Sequence, residues 1–202
     1  MQSRRESITE FKKALIGSAA LRLFSERPYE DVSVDSIAQE AEIAKGTLYY
    51  YFKSKDEILA YVICQGIETL CDAIALECRQ NHDVLATLTR VIELQYLYYL
   101  QYNPLFMALL RCESNGKVTE QLMEPIRDKH REKQALVAKV LAQGMEQKLL
   151  NQADADHLAW GMEYAIKGFG LMRMENKCQD KGDENLYLLQ QILLRGIMTR
   201  EG

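Results

Sequence analysis

Apolar residues recur along this chain at helical spacing. Ile8, Phe11, Leu15, Ala19 and Phe24 fall three to five positions apart. Val62, Cys64, Ile67, Cys71, Ile74 and Cys78 do the same, as do Val84, Leu88, Val91, Gln95 and Tyr98, with Gln95 as the one polar interruption. Residues three and four apart share a helix face, whereas a half-buried strand would alternate. No sustained alternation is present. Its nearest approach, Tyr29 to Val34, is short and bounded by turn residues. The pattern predicts an all-α fold.

Breakers and caps divide that pattern into about nine helices. Pro28 follows the first, Ser33 is placed to cap the second, and Asp35 lies in its first turn. Ser54 is placed to cap a long fourth helix through about Arg79. Asn81-His82-Asp83 opens a fifth that ends near Asn103-Pro104, and a short sixth stops at Ser114-Asn115-Gly116. The seventh runs to about Gln147, with Pro125 either in its first turn or kinking it. Asp154 opens the eighth, through Asn176, and Asp183 the ninth. The boundary near residue 53 predicts a head of three short helices, 1–53, and a helical body, 54–202.

Inside the head, Ser33 to Ala41 reads as a short helix, Glu42-Ile43-Ala44 as a tight turn, and Lys45 to Phe52 as a second short helix. Val34, Ile37, Ala38, Ile43, Leu48 and Phe52 can share one core, and Ala38 is small where two crossing helices must approach. This is helix-turn-helix spacing, in which the second helix enters a DNA major groove. That second helix has unusual chemistry for a packing element. Gly46, a poor helix former, sits in its first turn, and three tyrosines, Tyr49, Tyr50 and Tyr51, follow in a row, so at least one must point outward. Between Ala44 and Lys55 stand three lysines and no acid, a local patch suited to phosphate. A plain helical hairpin with half-buried tyrosines and solvated lysines is the alternative.

Residues Ile16, Ala19, Ala20, Leu23, Phe24 and Tyr29, the run Ser33 to Ala38, the run Ala44 to Lys55, and Leu59 resemble the DNA-binding head of the TetR/AcrR family of bacterial transcriptional regulators. The resemblance covers about the first 60 residues; beyond it only helix number and length agree. It implies that Lys45, Gly46 and Thr47 lie against base edges of double-stranded operator DNA, while Ser33, Tyr49, Tyr50, Tyr51 and Lys55 grip phosphates. Three residues depart from the family pattern. Pro28 replaces a usual glycine, so that turn must take another conformation. Glu42 stands where glycine is common and predicts a positive φ. Tyr51 replaces a frequent histidine.

In the body, Tyr96, Tyr98, Tyr99 and Tyr102 sweep most of one helix circumference. They read either as core and amphipathic surface or as part of a small-molecule pocket lined by Tyr96, Tyr99, Phe106, Met107, Leu110 and Met123. The resemblance favours the pocket. Arg111 either meets an acidic ligand or caps its helix; Glu163 either attracts a cation or pairs with Lys167 four residues on. Gly161, Ala165 and Gly168 present a small-residue face, and Leu189, Ile192, Leu193, Gly196 and Ile197 an apolar stripe, which together with Tyr164 suit a two-fold four-helix interface. The resemblance implies the same homodimer.

Composition narrows the function. The 202 residues include only 3 Pro and 11 Gly, with 48% hydrophobic and 27% charged, which excludes collagenous and mostly disordered classes. The net charge of −4 excludes a uniformly basic nucleic-acid coat, but it is unevenly spread. Residues 1–55 hold nine bases and eight acids, so the acidity belongs to the remainder. No membrane helix and no signal peptide is read, and five dispersed cysteines predict no disulfide framework, so a reduced cytoplasm is expected. Cys64, Cys71 and Cys78 share a helix face at seven-residue spacing and read as small apolar residues, with redox sensing as the alternative. His82, His130 and His157 lack metal-ligand spacing, and no catalytic motif is present, so no metal, cofactor or enzymatic activity is expected. The expected function is a homodimeric, ligand-responsive repressor released from a palindromic operator by a small apolar or amphipathic effector. Two alternatives remain: a ligand-independent regulator whose body binds protein, and an all-α ligand carrier or enzyme with a vestigial head.

Overall fold

The computed structural model describes residues 2–80, 83–116, 119–174 and 182–199. They form eight α-helices: α1 (Gln2–Glu26), α2 (Val34–Glu40), α3 (Lys45–Tyr51), α4 (Lys55–Gln80), α5 (Val84–Ser114), α6 (Glu120–Glu146), α7 (Ala155–Met174) and α8 (Gly182–Ile197). A 3-10 turn, Tyr29–Asp31, follows α1, and no strand occurs among the described residues, only an isolated bridge between Leu150 and Met198. The count falls one short of nine because the expected fifth and sixth helices are continuous. Pro104 lies inside α5 and Pro125 inside α6. Each proline lacks one N–H donor, yet both helices run on through it. His82 and the expected helix end at Asn176 lie outside the described residues.

The chain divides into two compact units, Met1–Gly66 with Pro104–Arg127, and Ile67–Asn103 with Asp128–Gly202. This differs from a single boundary at residue 53, because α4, α5 and α6 each contribute to both units.

In the first unit, Ile16, Ala19, Ala20, Leu23 and Phe24 of α1 are buried with Ile37, Ala38, Leu48 and Phe52. Ile8 and Phe11, expected on the same apolar face, are exposed, since the buried stripe of α1 begins only at Ile16. Val34 and Ile43 are half-buried. Ser33 caps α2 by accepting from the Ser36 amide at 3.0 Å, while Ser36 Oγ accepts from the Ser33 amide at 3.1 Å. At the other end, the Ile43 amide reaches the Ala38 carbonyl and the Glu42 amide the Gln39 carbonyl. That pair of hydrogen bonds is the Schellman closure, which needs a left-handed residue at its centre. Glu42 supplies it with φ 53, as its place in the pattern predicted. Glu42→Gly should therefore stabilise the unit by up to about 1 kcal/mol, read as a higher urea midpoint with unchanged slope.

Pro28, at φ −52 and ψ 142, caps the 3-10 turn through its carbonyl. The buried Tyr29 that follows donates its hydroxyl to Asp56 Oδ1 at 2.6 Å. Burial first, then Asp56, holds that phenol well above its ordinary pKa. Lys55 Nζ donates to the carbonyls of Tyr29 and Val32, both at 2.8 Å, and lies 4.1 Å over the Tyr29 ring. Arg111 pairs with Glu30, its Nε 3.1 Å from Glu30 Oε1 in an exposed ion pair.

In the second unit, Asp83 caps α5 by accepting from the Leu85 amide at 2.9 Å, and Asp154 caps α7 by accepting from His157 at 2.9 Å. Leu88, Val91 and Ile92 of α5, Val137 and Leu141 of α6, and Ile166 of α7 are fully buried. The core also holds polar residues, Thr87, Gln95, Lys133, Gln134 and Glu163. By length and composition alone α4 is apolar enough to cross a membrane, but half of the relevant window is buried inside the protein, as in a core helix.

Candidate functional site

The helix-turn-helix places α3 with one face inward and one outward. Leu48 is fully buried, while Lys45, Gly46, Tyr49 and Tyr50 are exposed and Thr47 and Tyr51 are half-buried. A Cβ built on Gly46 meets nothing within 4 Å, so the glycine is not there to relieve crowding in the head itself. Tyr50 is 75% exposed and stands edge-on to Tyr51, with ring centroids 5.0 Å apart. Ser33, exposed, is occupied as the α2 cap.

The lysines of the basic patch divide. Lys45 Nζ pairs with Asp35 at 2.6 Å, and Asp35 raises the Lys45 pKa. Lys55 turns inward to the Tyr29 and Val32 carbonyls. Lys53 remains exposed. The sequence showed no acid between Ala44 and Lys55, but the fold brings Asp35 from the preceding helix.

A second constellation lies in the core of the other unit. Glu163 of α7 is fully buried, and three cations or potential cations approach it: Lys133 Nζ at 2.8 Å, Lys167 Nζ at 2.6 Å and His130 Nδ1 at 3.6 Å. Tyr99 donates its hydroxyl to Glu163 Oε1 and accepts from Lys133 Nζ at 3.1 Å. Burial alone would raise the Glu163 pKa, but Lys133 and Lys167 together bring it down to about 2. Burial lowers Lys133, against the pull of a carboxylate it shares, and lowers His130 to about 4, so that imidazole is neutral at pH 7. Burial and Glu163 raise Tyr99, which stays protonated. The expected Glu163–Lys167 pair is present. Lys133 and His130 escaped the sequence reading, though both lie on the α6 stripe with Ile126, Val137 and Leu141, where a polar residue signals a buried partner.

The six expected pocket residues fall in different units and environments. Tyr96 and Tyr99 are buried in the second unit, whereas Phe106 and Met123, in the first, are half-buried. Met107 and Leu110 are exposed, because the buried stripe of α5 there runs through Leu105, Ala108, Leu109 and Cys112.

On α7 and α8, Gly161, Tyr164, Ile192 and Gly196 are exposed, and Ala165, Gly168, Leu193 and Ile197 half-buried. Cβ positions built on Gly161, Gly168 and Gly196 meet nothing within 4 Å. Leu189 departs from the expected stripe, being fully buried within its own chain. Among the described residues no cluster of three His, Cys, Asp or Glu could hold a metal. Cys64, Cys71, Cys78 and Cys112 form no disulfide among the described residues, and Cys178 lies outside them. Burial raises the Cys71 and Cys78 thiols, the reverse of what an activated thiolate needs.

Comparison with known proteins bears on the head directly. The model of the family described as bacterial regulatory proteins, tetR family, matches residues 16–62. An HTH-type transcriptional regulator of Staphylococcus aureus strain MRSA252 is 33% identical over 101 residues, which are 50% of this chain and 52% of the relative. The chain thus spans about half the length of the curated relatives it matches. A transcriptional regulator from Saccharomonospora viridis, solved in complex with choline, is 23% identical with a TM-score of 0.79, over 93% of this chain and 98% of that one. The fatty acid degradation regulator FadR from Bacillus halodurans is 20% identical with a TM-score of 0.73, over 91% and 94%. These two are likenesses of fold. Residues 16–62 take in the whole helix-turn-helix just described, and over this region the chain matches the tetR family of bacterial regulatory proteins.

Proposed function

We propose that the chain is a homodimeric, ligand-responsive transcriptional regulator, a repressor, with no catalytic role. The observation that carries this reading is the outward face of α3, where Lys45, Gly46, Thr47, Tyr49 and Tyr50 stand clear of the core that Leu48 anchors. Residues 1–53 act as the DNA-binding part and 54–202 as the ligand-binding and dimerisation part. Lys45, Gly46 and Thr47 contact base edges of a palindromic operator, and Ser33, Tyr49, Tyr50, Tyr51 and Lys55 grip its phosphates. Lys55 would do so with its ammonium also held by the Tyr29 and Val32 carbonyls, which take two of its three donors.

The α7–α8 face supports the dimer. Open glycines flank exposed Tyr164 and Ile192, so a second copy can approach closely. The body binds a small effector with Tyr96 and Tyr99 in its lining, and the effector must bind one body conformation better than the other to shift DNA affinity. Neighbours of this fold include the choline complex and the fatty acid regulator, so a small-molecule partner fits the architecture. A cytoplasmic location follows from a DNA partner.

Selection of bound sequences from random DNA tests the reading. The expected result is a palindrome whose half-sites lie about one helical turn, ~10 base pairs, apart; failure to enrich any sequence would overturn it. The dimer has a separate check. Gly168→Trp should give monomers in sedimentation, and an unchanged profile would refute the proposed interface.

A further inference from the structure

The buried cluster around Glu163 holds more positive than negative charge. Among the described residues the ion pairs of Lys133 and Lys167 both end on Glu163. Tyr99 and neutral His130 add no compensating anion. Lys133 and Glu163 are fully buried, while Lys167 is 32% exposed and is where solvent reaches the group. The fully buried part is the matched pair of Lys133 and Glu163, and the excess ammonium, Lys167, stands at the edge of the cluster that solvent reaches.

A second observation lies on the facing helix. The Gln95 amide, at both its nitrogen and its oxygen, and the Tyr96 hydroxyl are buried without a hydrogen-bond partner among the described residues. Gln95 and Tyr96 stand four and three residues before Tyr99, hence on the face of α5 that Tyr99 turns to Glu163 and Lys133. Gln134 Oε1 on α6, one position after Lys133, is also unpartnered. Buried polar groups are normally satisfied; the Gln95 Nε2 and Tyr96 hydroxyl donors suit an anionic acceptor, whereas the Gln95 and Gln134 amide oxygens need a donor from elsewhere.

We propose that Lys133 and Lys167, with the Gln95 amide and Tyr96 hydroxyl facing them, seat the carboxylate of a small organic monoanion with an apolar body. One negative charge neutralises the cluster, whereas a dianion would overshoot. Buried Val137, Met162 and Ile166 provide the apolar surroundings. A cationic ligand is disfavoured, because the one carboxylate that could receive it already carries two ammoniums. This assignment rests on the reading of the chain as a ligand-responsive regulator and names the charge of its effector.

The test uses the full chain, calorimetry and thermal melting. Benzoate and octanoate are compared with benzyl alcohol and octan-1-ol, which lack the charge, and with benzyltrimethylammonium, which reverses it. The carboxylates should bind and raise the melting temperature, and the alcohols and the ammonium should not. Lys133→Met and Lys167→Met should each weaken carboxylate binding by roughly thirtyfold. Lys133→Met removes a fully buried side chain and can unfold the unit; Lys167→Met leaves Lys133 and Glu163 as a matched pair and should keep the ligand-free melting temperature nearly unchanged. Binding of the alcohols or the ammonium as tight as that of the carboxylates, no binding of any probe, or undiminished binding by Lys167→Met would overturn the proposal. DNA selection separates this from the function itself. Carboxylate binding without any selected DNA leaves the site and removes the regulator; selected DNA without carboxylate binding does the reverse.

Discussion

Glu163→Gln should lower the unfolding free energy by about 3 kcal/mol, because it leaves two ammonium groups facing each other around a neutral amide. The carboxylate is fully buried and receives Lys133, Lys167 and the Tyr99 hydroxyl together. Lys133 has no other ion pair among the described residues, and burial already depresses it. It can therefore shed its proton in the variant, which caps the loss below that of a permanently stranded charge. Urea denaturation measures the effect, and a change below about 0.5 kcal/mol, the range of ordinary surface substitutions, would contradict the description of the cluster.

The same groups set an acid limit. Glu163 lies at about 2 when folded against an ordinary 4.5, so its contribution is present above 4.5 and fades as pH falls toward 2. His130 lies at about 4 against 6.5, so the unfolded chain binds its proton first and stability falls as pH drops from 6.5 to 4. Both slopes have the same sign. Stability should decline continuously below pH 6.5, and His130→Gln should flatten the upper part of that decline.

Lys45→Ala should weaken binding to the selected operator by roughly tenfold per half-site, provided Lys45 reads a base edge. A lysine confined to phosphates would instead weaken all sequences alike and reduce the salt slope by about one per head. Its partner sharpens the contrast. Asp35 holds the Lys45 ammonium at 2.6 Å in the free protein, so DNA must compete with a carboxylate. Asp35→Asn should consequently raise affinity for DNA of any sequence while narrowing the preference for the operator. Gly46→Ala completes the set. With nothing within 4 Å of its Cβ it should fold at least as well as the parent, so any loss of operator affinity reports the DNA surface alone.

Local chemistry made the head legible in the sequence. The Ser33 cap, the left-handed Glu42, and Leu48 as the inward residue of α3 depend on neighbours within a few positions, and each stands where the spacing puts it. The pairing of Glu163 with Lys167 was legible for the same reason, being a one-turn contact. What the sequence determined by itself is the set of interactions written within about one helical turn. Tertiary structure decided the rest. The partnership of Asp35 with Lys45 spans ten residues, that of Lys55 with Tyr29 twenty-six, and that of Tyr99 with Glu163 sixty-four. Periodicity names the face on which a residue lies, but not which other helix meets that face. It marked Gln95 only as an interruption in an apolar stripe. The structure shows that the interruption is fully buried one turn before Tyr99, with its amide unpartnered among the described residues, so desolvation turns it from an irregularity of pattern into part of a candidate site.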